Sequence, residues 1–282
     1  MKDEFCRSCK FKNLLINFFI TIKEKLAKKD SVVEHFDQMS QTGKWSSLYS
    51  EWNGFTYHFQ VRRDRVLELL PQMLGDVLDV GCGPGVMVEA ILERGGNFLG
   101  IDISPEMAKE GEEKFGHLPN VKFAVGNVES LDLPDNSFDQ VICMAVVEYL
   151  DTPDLLLAEI YRVLKPGGTT IITVPKKFHI DSLTIGLTKP FRKLAKLLVA
   201  SDTDNLPRLC MQPVELDKAA EKAGLKFIDG RQYQFTVIPY PLTRIAPGLC
   251  MKLNLPLEKF TQTRNSVMSY LGHGYIGSYQ KV

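Results

Sequence analysis

A chain of 282 residues with 44% hydrophobic content can bury one substantial core, and its 34 basic residues are matched by 34 acidic ones. The zero net charge argues against a nucleic-acid partner, which a basic surface would advertise. Of the six cysteines only Cys6 and Cys9 have paired spacing, and no second pair stands at a zinc-ligand distance, so the pattern fits a reducing, cytoplasmic compartment.

From Phe11 to Lys29 the polar positions Asn13, Asn17, Thr21, Glu24 and Lys28 form one narrow stripe, while Leu14, Leu15, Phe18, Phe19, Ile22 and Leu26 cover much of the rest. This is an amphipathic helix with basic ends. Asn17 and Thr21 interrupt its apolar run, whereas a bilayer-spanning helix needs roughly 18 apolar residues. Lys23, Glu24 and Lys25 stand where a secretory cleavage site would need small residues. Two settings fit the helix equally: a membrane surface with peripheral contact, or a packed helix, as a lid on the core or a homodimer contact. Residues 1–60 are therefore taken as N-terminal helix and lid, and 61–282 as the main domain.

The next signals are the richest. Val77-Leu78-Asp79-Val80 reads as a buried strand running into Gly81-Cys82-Gly83-Pro84-Gly85, with helix-forming Met87 to Leu92 behind it. Glycines permit positive φ and close approach of a ligand to the backbone, and a helix start offers unpaired N–H groups. The dinucleotide fingerprint would place its third glycine at position 86, where this chain has valine, so a nicotinamide cofactor is disfavoured. Asn97 to Asp102 reads as the second strand, ending on an acid placed to accept hydrogen bonds from a ribose. Ser104-Pro105-Glu106 then opens a helix with an N-cap and a proline in its first turn.

Four further segments follow: Gly100 to Ser104, Gly126 to Pro134, Ser137 to Ile142, and Arg162 to Gly168 before a strand Thr169 to Val174. With the glycine turn they span residues 77–175, and in this order they resemble the class I S-adenosylmethionine-dependent methyltransferases, particularly the ubiquinone and menaquinone biosynthesis branch. The resemblance implies an α/β fold: a doubly wound, mostly parallel, seven-stranded Rossmann-like sheet with an antiparallel last strand. It implies S-adenosyl-L-methionine as cofactor, with Asp79, Gly81, Gly83 and Gly85 toward its methionine part, Asp102 on the ribose, Ile103, Asn127 and Val128 around the adenine, and Met144 as a further cofactor-binding residue. Relatives commonly carry Asp where this chain has Asn127, whose amide oxygen can still accept a hydrogen bond. Many relatives cap the cofactor with the region before the core. There Tyr57 is the candidate for the lid and Arg62, with its planar fork, for the cofactor carboxylate.

After strand four the ubiquinone-type enzymes carry an acidic cluster with His associated with a divalent metal. Here only Glu148 survives, and one carboxylate is a poor site for a hard cation, so no metal is expected. Two apolar segments are insertions: 176–211, with six basic residues against one acid within 176–200, and the proline-rich, irregular 237–270. An insertion after the fifth strand overlies the mouth of such a sheet and would help form the acceptor pocket. His179 and His58 are the candidate general bases. The expected reaction is methyl transfer to a hydrophobic small molecule: a quinone precursor, isoprenoid or lipid. The alternatives are a nicotinamide-dependent oxidoreductase and a non-catalytic, membrane-associated cofactor-binding protein.

Overall fold

The computed structural model describes residues 26–50, 53, 56–177, 206–234, 247–258 and 272–282. The strands are β1 (Asp76–Val80), β2 (Asn97–Asp102), β3 (Val121–Val125), β4 (Phe138–Cys143), β5 (Leu164–Pro175), β6 (Leu225–Tyr233) and β7 (Gly274–Lys281). They form one seven-stranded sheet in the order β3-β2-β1-β4-β5-β7-β6. Strands β1 to β5 pair in parallel, and β7 lies antiparallel between β5 and β6.

The central strands are continuous apolar runs because helices cover both faces of the sheet. Side-chain alternation sends Leu78, Val80, Val141 and Ile172 into one core with Leu157 and Ile160. It sends Val77, Ile142 and Ile171 into the other, against Met87, Ile91 and Phe98. Strand order reverses between β1 and β4, and at their carboxyl ends such a sheet opens a crevice.

The expected fold class holds, with three revisions. Strand β5 begins at Leu164, earlier than the Thr169 expected from the Lys165-Pro166-Gly167-Gly168 turn. The turn is absorbed as a bulge: Phe138 pairs with Leu164 but Gln140 with Thr169, and Gly167 takes φ +80°. Residues 26–41 are helical, so the amphipathic helix read as ending at Lys29 runs on by 12 residues; its portion from Phe11 to 25 lies outside the described residues. Lys28 Nζ anchors this helix by donating to Leu150 O at 3.1 Å and Asp151 Oδ1 at 2.8 Å.

The third revision concerns the segment read as irregular, of which the described part, Pro247–Glu258, is a helix containing Pro256. Its buried stripe is Cys250, Asn254 and Glu258, one turn apart, while Leu249 and Leu253 face outward. A pattern search that equates burial with leucine misses such a helix. Most of both insertions lies outside the described residues, and no described helix is long and apolar enough to cross a membrane.

The helix Asp154–Val163 carries Arg162 in its last turn. Its guanidinium donates to Leu131 O at 2.9 Å, Leu133 O at 2.6 Å and Asp135 Oδ1 at 2.7 Å, and also pairs with Glu159. It therefore fastens the loop that follows Asn127 and Val128. Charge-assisted bonds of this kind support an expected loss of about 2 kcal/mol for Arg162→Met. Urea denaturation reads it as a lower midpoint; an unchanged midpoint would show that the loop is held by other contacts.

Candidate functional site

The site begins with backbone that only glycine accommodates easily. Gly81, Gly83 and Gly85 all have positive φ, at +70°, +53° and +83°. A Cβ on Gly81 would collide with the Val146 side chain, and one on Gly83 would stand 3.0 Å from Trp45 Nε1. At Gly85 it would stand 2.7 Å from the Phe123 ring and 2.9 Å from Val88 Cγ2, so that glycine serves packing behind the loop. The Gly81 N–H donates to Ile101 O at 2.7 Å and ties the loop to the end of β2.

Asp102, 8% exposed, completes the tie. Its Oδ2 accepts from the Gly83 N–H at 2.8 Å and its Oδ1 from the Ser104 N–H at 2.9 Å. Burial raises its pKa, while the N–H groups of Ser104, Gly83 and Ile103 pull it back toward the ionised form. Asp79, 1% exposed, is pushed well above the usual carboxylate range, first by burial and then by Asp102. Its Oδ2 has no hydrogen-bond partner among the described residues. Ser104 caps the next helix as expected, its Oγ accepting from the Met107 N–H at 3.1 Å.

A mainly apolar cavity of 330 Å³ opens at this loop, lined by Gly81, Gly83, Asp102, Ile103, Asn127, Val128 and Met144 among others. Seven of the eleven residues expected to bind cofactor are thus brought together. Asn127 Oδ1 accepts from the Glu129 N–H at 3.2 Å, which fixes its amide in a local turn. Asp79 and Gly85 sit in the same strand-loop unit without lining the cavity.

Tyr57 and Arg62 are placed elsewhere. Tyr57, 2% exposed, is a core ring whose hydroxyl accepts from Asn254 Nδ2 at 3.1 Å, and it lines neither this cavity nor the next one. Arg62 lines a second cavity with His58, donates to Tyr49 Oη at 3.3 Å and lies 5.4 Å over the Phe59 ring. Burial opposes its charge, but Tyr49, Tyr233 and Glu148 outweigh burial and hold the guanidinium firmly protonated. Arg62 does not line the cavity at the Asp102 loop. Glu148, 4% exposed, lines the second cavity as well, and His179 lies outside the described residues. Among the described residues no group of three His, Cys, Asp or Glu is arranged to hold a metal.

The cap over the cavity comes from the region expected to be the lid, but through residues other than Tyr57 and Arg62: Leu26, Val32 and Phe36 on the N-terminal helix and Trp45, joined by Tyr149. Phe36 meets Trp45 and Tyr149 edge-on at centroid distances of 5.5 and 5.1 Å. Asp37 accepts from Ser104 Oγ, while Ser40 and Ser46 donate to Glu110, so the cap is pinned to the helix Pro105–Phe115. Val32 and Phe36 are one turn apart, a signal legible once the helix is known to continue that far.

Two polar atoms bear on the expected cofactor. Trp45 Nε1, on the cavity wall, is a buried donor without a partner among the described residues, and Asn127 Oδ1 is an acceptor at the same cavity. A ligand bringing a carboxylate and an exocyclic amine would meet both, and with Asp102 placed for a ribose the cavity's polar groups fit S-adenosylmethionine.

Residues 78–172 match the family model described as a methyltransferase domain. A demethylmenaquinone methyltransferase of Symbiobacterium thermophilum is 32% identical over 152 residues, covering 50% of this chain and 55% of that protein. A ubiquinone biosynthesis O-methyltransferase of Coxiella burnetii is 30% identical over 158 residues, covering 54% of this chain and 64% of that protein. The chain thus spans less than two thirds of the length of these relatives. In fold it is similar to a Thermotoga maritima S-adenosylmethionine-dependent methyltransferase, described as a possible histamine N-methyltransferase, at 18% identity and TM-score 0.57 over 88% of this chain and 98% of that one. It is also similar to a TehB-like methyltransferase of Corynebacterium glutamicum, at 15% identity and TM-score 0.52 over 88% and 99% of the two chains. The resemblance to methyltransferases read from the motifs therefore holds over residues 78–172.

Gly83→Ala should weaken cofactor binding at least about tenfold, because a side chain at positive φ strains the loop and presses toward Trp45. Calorimetric titration with S-adenosylhomocysteine measures this, and unaltered affinity would place the cofactor away from the loop.

Proposed function

We propose that this chain transfers the methyl group of S-adenosylmethionine to a small organic acceptor. The observation that carries the reading is the buried Asp102 carboxylate, held by the Gly83 and Ser104 N–H groups at the edge of an apolar cavity where β1 and β4 diverge. The names of the Symbiobacterium and Coxiella relatives support a hydrophobic acceptor such as a quinone precursor, isoprenoid or lipid-like molecule.

The bound cofactor supplies an electrophilic methyl on a good leaving group. The protein's part is alignment and the exclusion of water. The Asp102 carboxylate orients a ribose, Ile103 and Val128 offer apolar contacts for a base, and the Asn127 amide oxygen keeps a lone pair for an exocyclic amine. The cap formed by Val32, Phe36 and Trp45 shields the reacting centre from solvent. For a phenol, with a pKa of roughly 10, a general base would speed attack. His58 lines the adjoining cavity and is our candidate, and His179 retains that role from the sequence.

Incubation of the purified chain with methyl-labelled S-adenosylmethionine and an organic-solvent extract of cells is expected to move label into low-molecular-weight, solvent-soluble species. Label confined to protein or RNA would contradict the acceptor class. Tight cofactor binding without any transfer would contradict the catalytic reading.

A further inference from the structure

An anion arriving at the glycine loop finds its backbone donors already engaged. The N–H groups of Gly81 and Cys82 donate to Ile101 O at 2.7 and 3.2 Å, that of Gly83 to Asp102 Oδ2 at 2.8 Å and that of Gly85 to Cys82 O at 3.1 Å, while Pro84 has none. A carboxylate beside this loop therefore needs a side chain to hold it. Arg62, expected in that role, lines the second cavity and not this one. Of the cations that do line it, Lys28 is occupied by Leu150 O and Asp151, and Lys29 is exposed, where water weakens any ion pair it makes.

Trp45 supplies a donor of a different kind. It lies on the helix Lys44–Ser50 and lines the cavity. A Cβ at Gly83 would have as its nearest neighbours Trp45 Nε1 at 3.0 Å, Cε2 at 3.6 Å and Cδ1 at 3.8 Å, so the indole turns its N–H edge toward the loop. Gly83 lines the first cavity but not the second, which puts that edge on the side of Asp102. Nε1 is buried and has no partner among the described residues, although an indole N–H shut away from water ordinarily finds one. The ring is fixed from several sides. Phe36, Tyr49 and Phe59 lie at centroid distances of 5.5, 5.8 and 6.2 Å, and the adjacent Ser46 donates to Glu110.

Resting on the methyltransferase reading above, we propose that Trp45 Nε1 is the donor that holds the cofactor's carboxylate. The N-terminal cap then reads the amino-acid end of the ligand while Asp102 reads its ribose, and the ligand ties cap to loop. A neutral donor suits the task, because it recognises the carboxylate without setting a further cation beside the sulfonium. Since Nε1 is sealed off where it stands, the indole edge lifts from Gly83 to admit the oxygen, and binding is thereby linked to the position of the cap.

Calorimetric titration of S-adenosylhomocysteine and of its decarboxylated analogue, which keeps the nucleoside and the amine, tests this. The intact chain should bind the carboxylate-bearing ligand at least about tenfold more tightly, the size of one charge-assisted hydrogen bond. Trp45→Phe keeps an aromatic ring in the cap and should remove most of that preference while leaving the analogue's affinity unchanged. Lys29→Met should retain the preference. Equal binding of the two ligands by the intact chain, a preference that survives in Trp45→Phe, or one that disappears in Lys29→Met would overturn the proposal. Should Trp45→Phe fail to fold, fluorescence decides. Trp52 is the chain's other tryptophan, so Trp52→Phe leaves Trp45 as the reporter, and S-adenosylhomocysteine should shift its emission more than the analogue does. Equal shifts, or none, would count against the assignment. Binding of neither ligand by the folded intact chain condemns the methyltransferase reading itself, whereas equal binding of both condemns the role of Trp45 alone.

Discussion

One buried carboxylate organises this molecule's business end. Asp102 accepts from the Gly83 and Ser104 N–H groups, and so joins the glycine loop after β1 to the helix start after β2. Neither segment would keep its shape unaided, because a loop with three positive-φ glycines gains little from local propensity. The sheet supplies the rest: β1 and β2 pair in register, Asp79 opposite Gly100 and Val80 opposite Ile101, which brings the ends of both strands to one crevice. Burial makes the arrangement costly for Asp102 without hydrogen bonds, and the backbone N–H groups offset that cost.

The central half of this arrangement is legible in the residues themselves. A buried strand, three glycines and an acid at the end of the next strand form a local pattern whose meaning depends little on distant contacts. Asn97–Asp102 and the Ser104 cap accordingly fall where the sequence puts them. Asn127, Val128 and Met144 were assigned through the family resemblance, and the sheet order carries them to the same cavity.

The periphery was less legible, for reasons that differ by residue. Tyr57 and Arg62 lie on one helix, but which face that helix presents depends on Asn254 and Tyr49, far along the chain or in another helix. The helix Pro247–Glu258 buries Cys250 together with Asn254 and Glu258, two polar residues whose burial only their partners make tolerable. The cap residues Val32, Phe36 and Trp45 gain their role from tertiary contacts among Asp37, Ser40, Ser46 and the helix Pro105–Phe115, which no local window contains. The consequence is two neighbouring cavities that share Phe36, Trp45, Ala145 and Tyr149.

The whole account turns on whether Asp102 holds the nucleoside. Calorimetric titration of S-adenosylhomocysteine into the intact chain and into Asp102→Ala decides it, with cooperative thermal unfolding of both as the control for folding. Loss of hydrogen bonds to a charged group predicts affinity lower by about ten- to a hundredfold in the variant. Equal affinity in the two folded proteins would contradict the central claim.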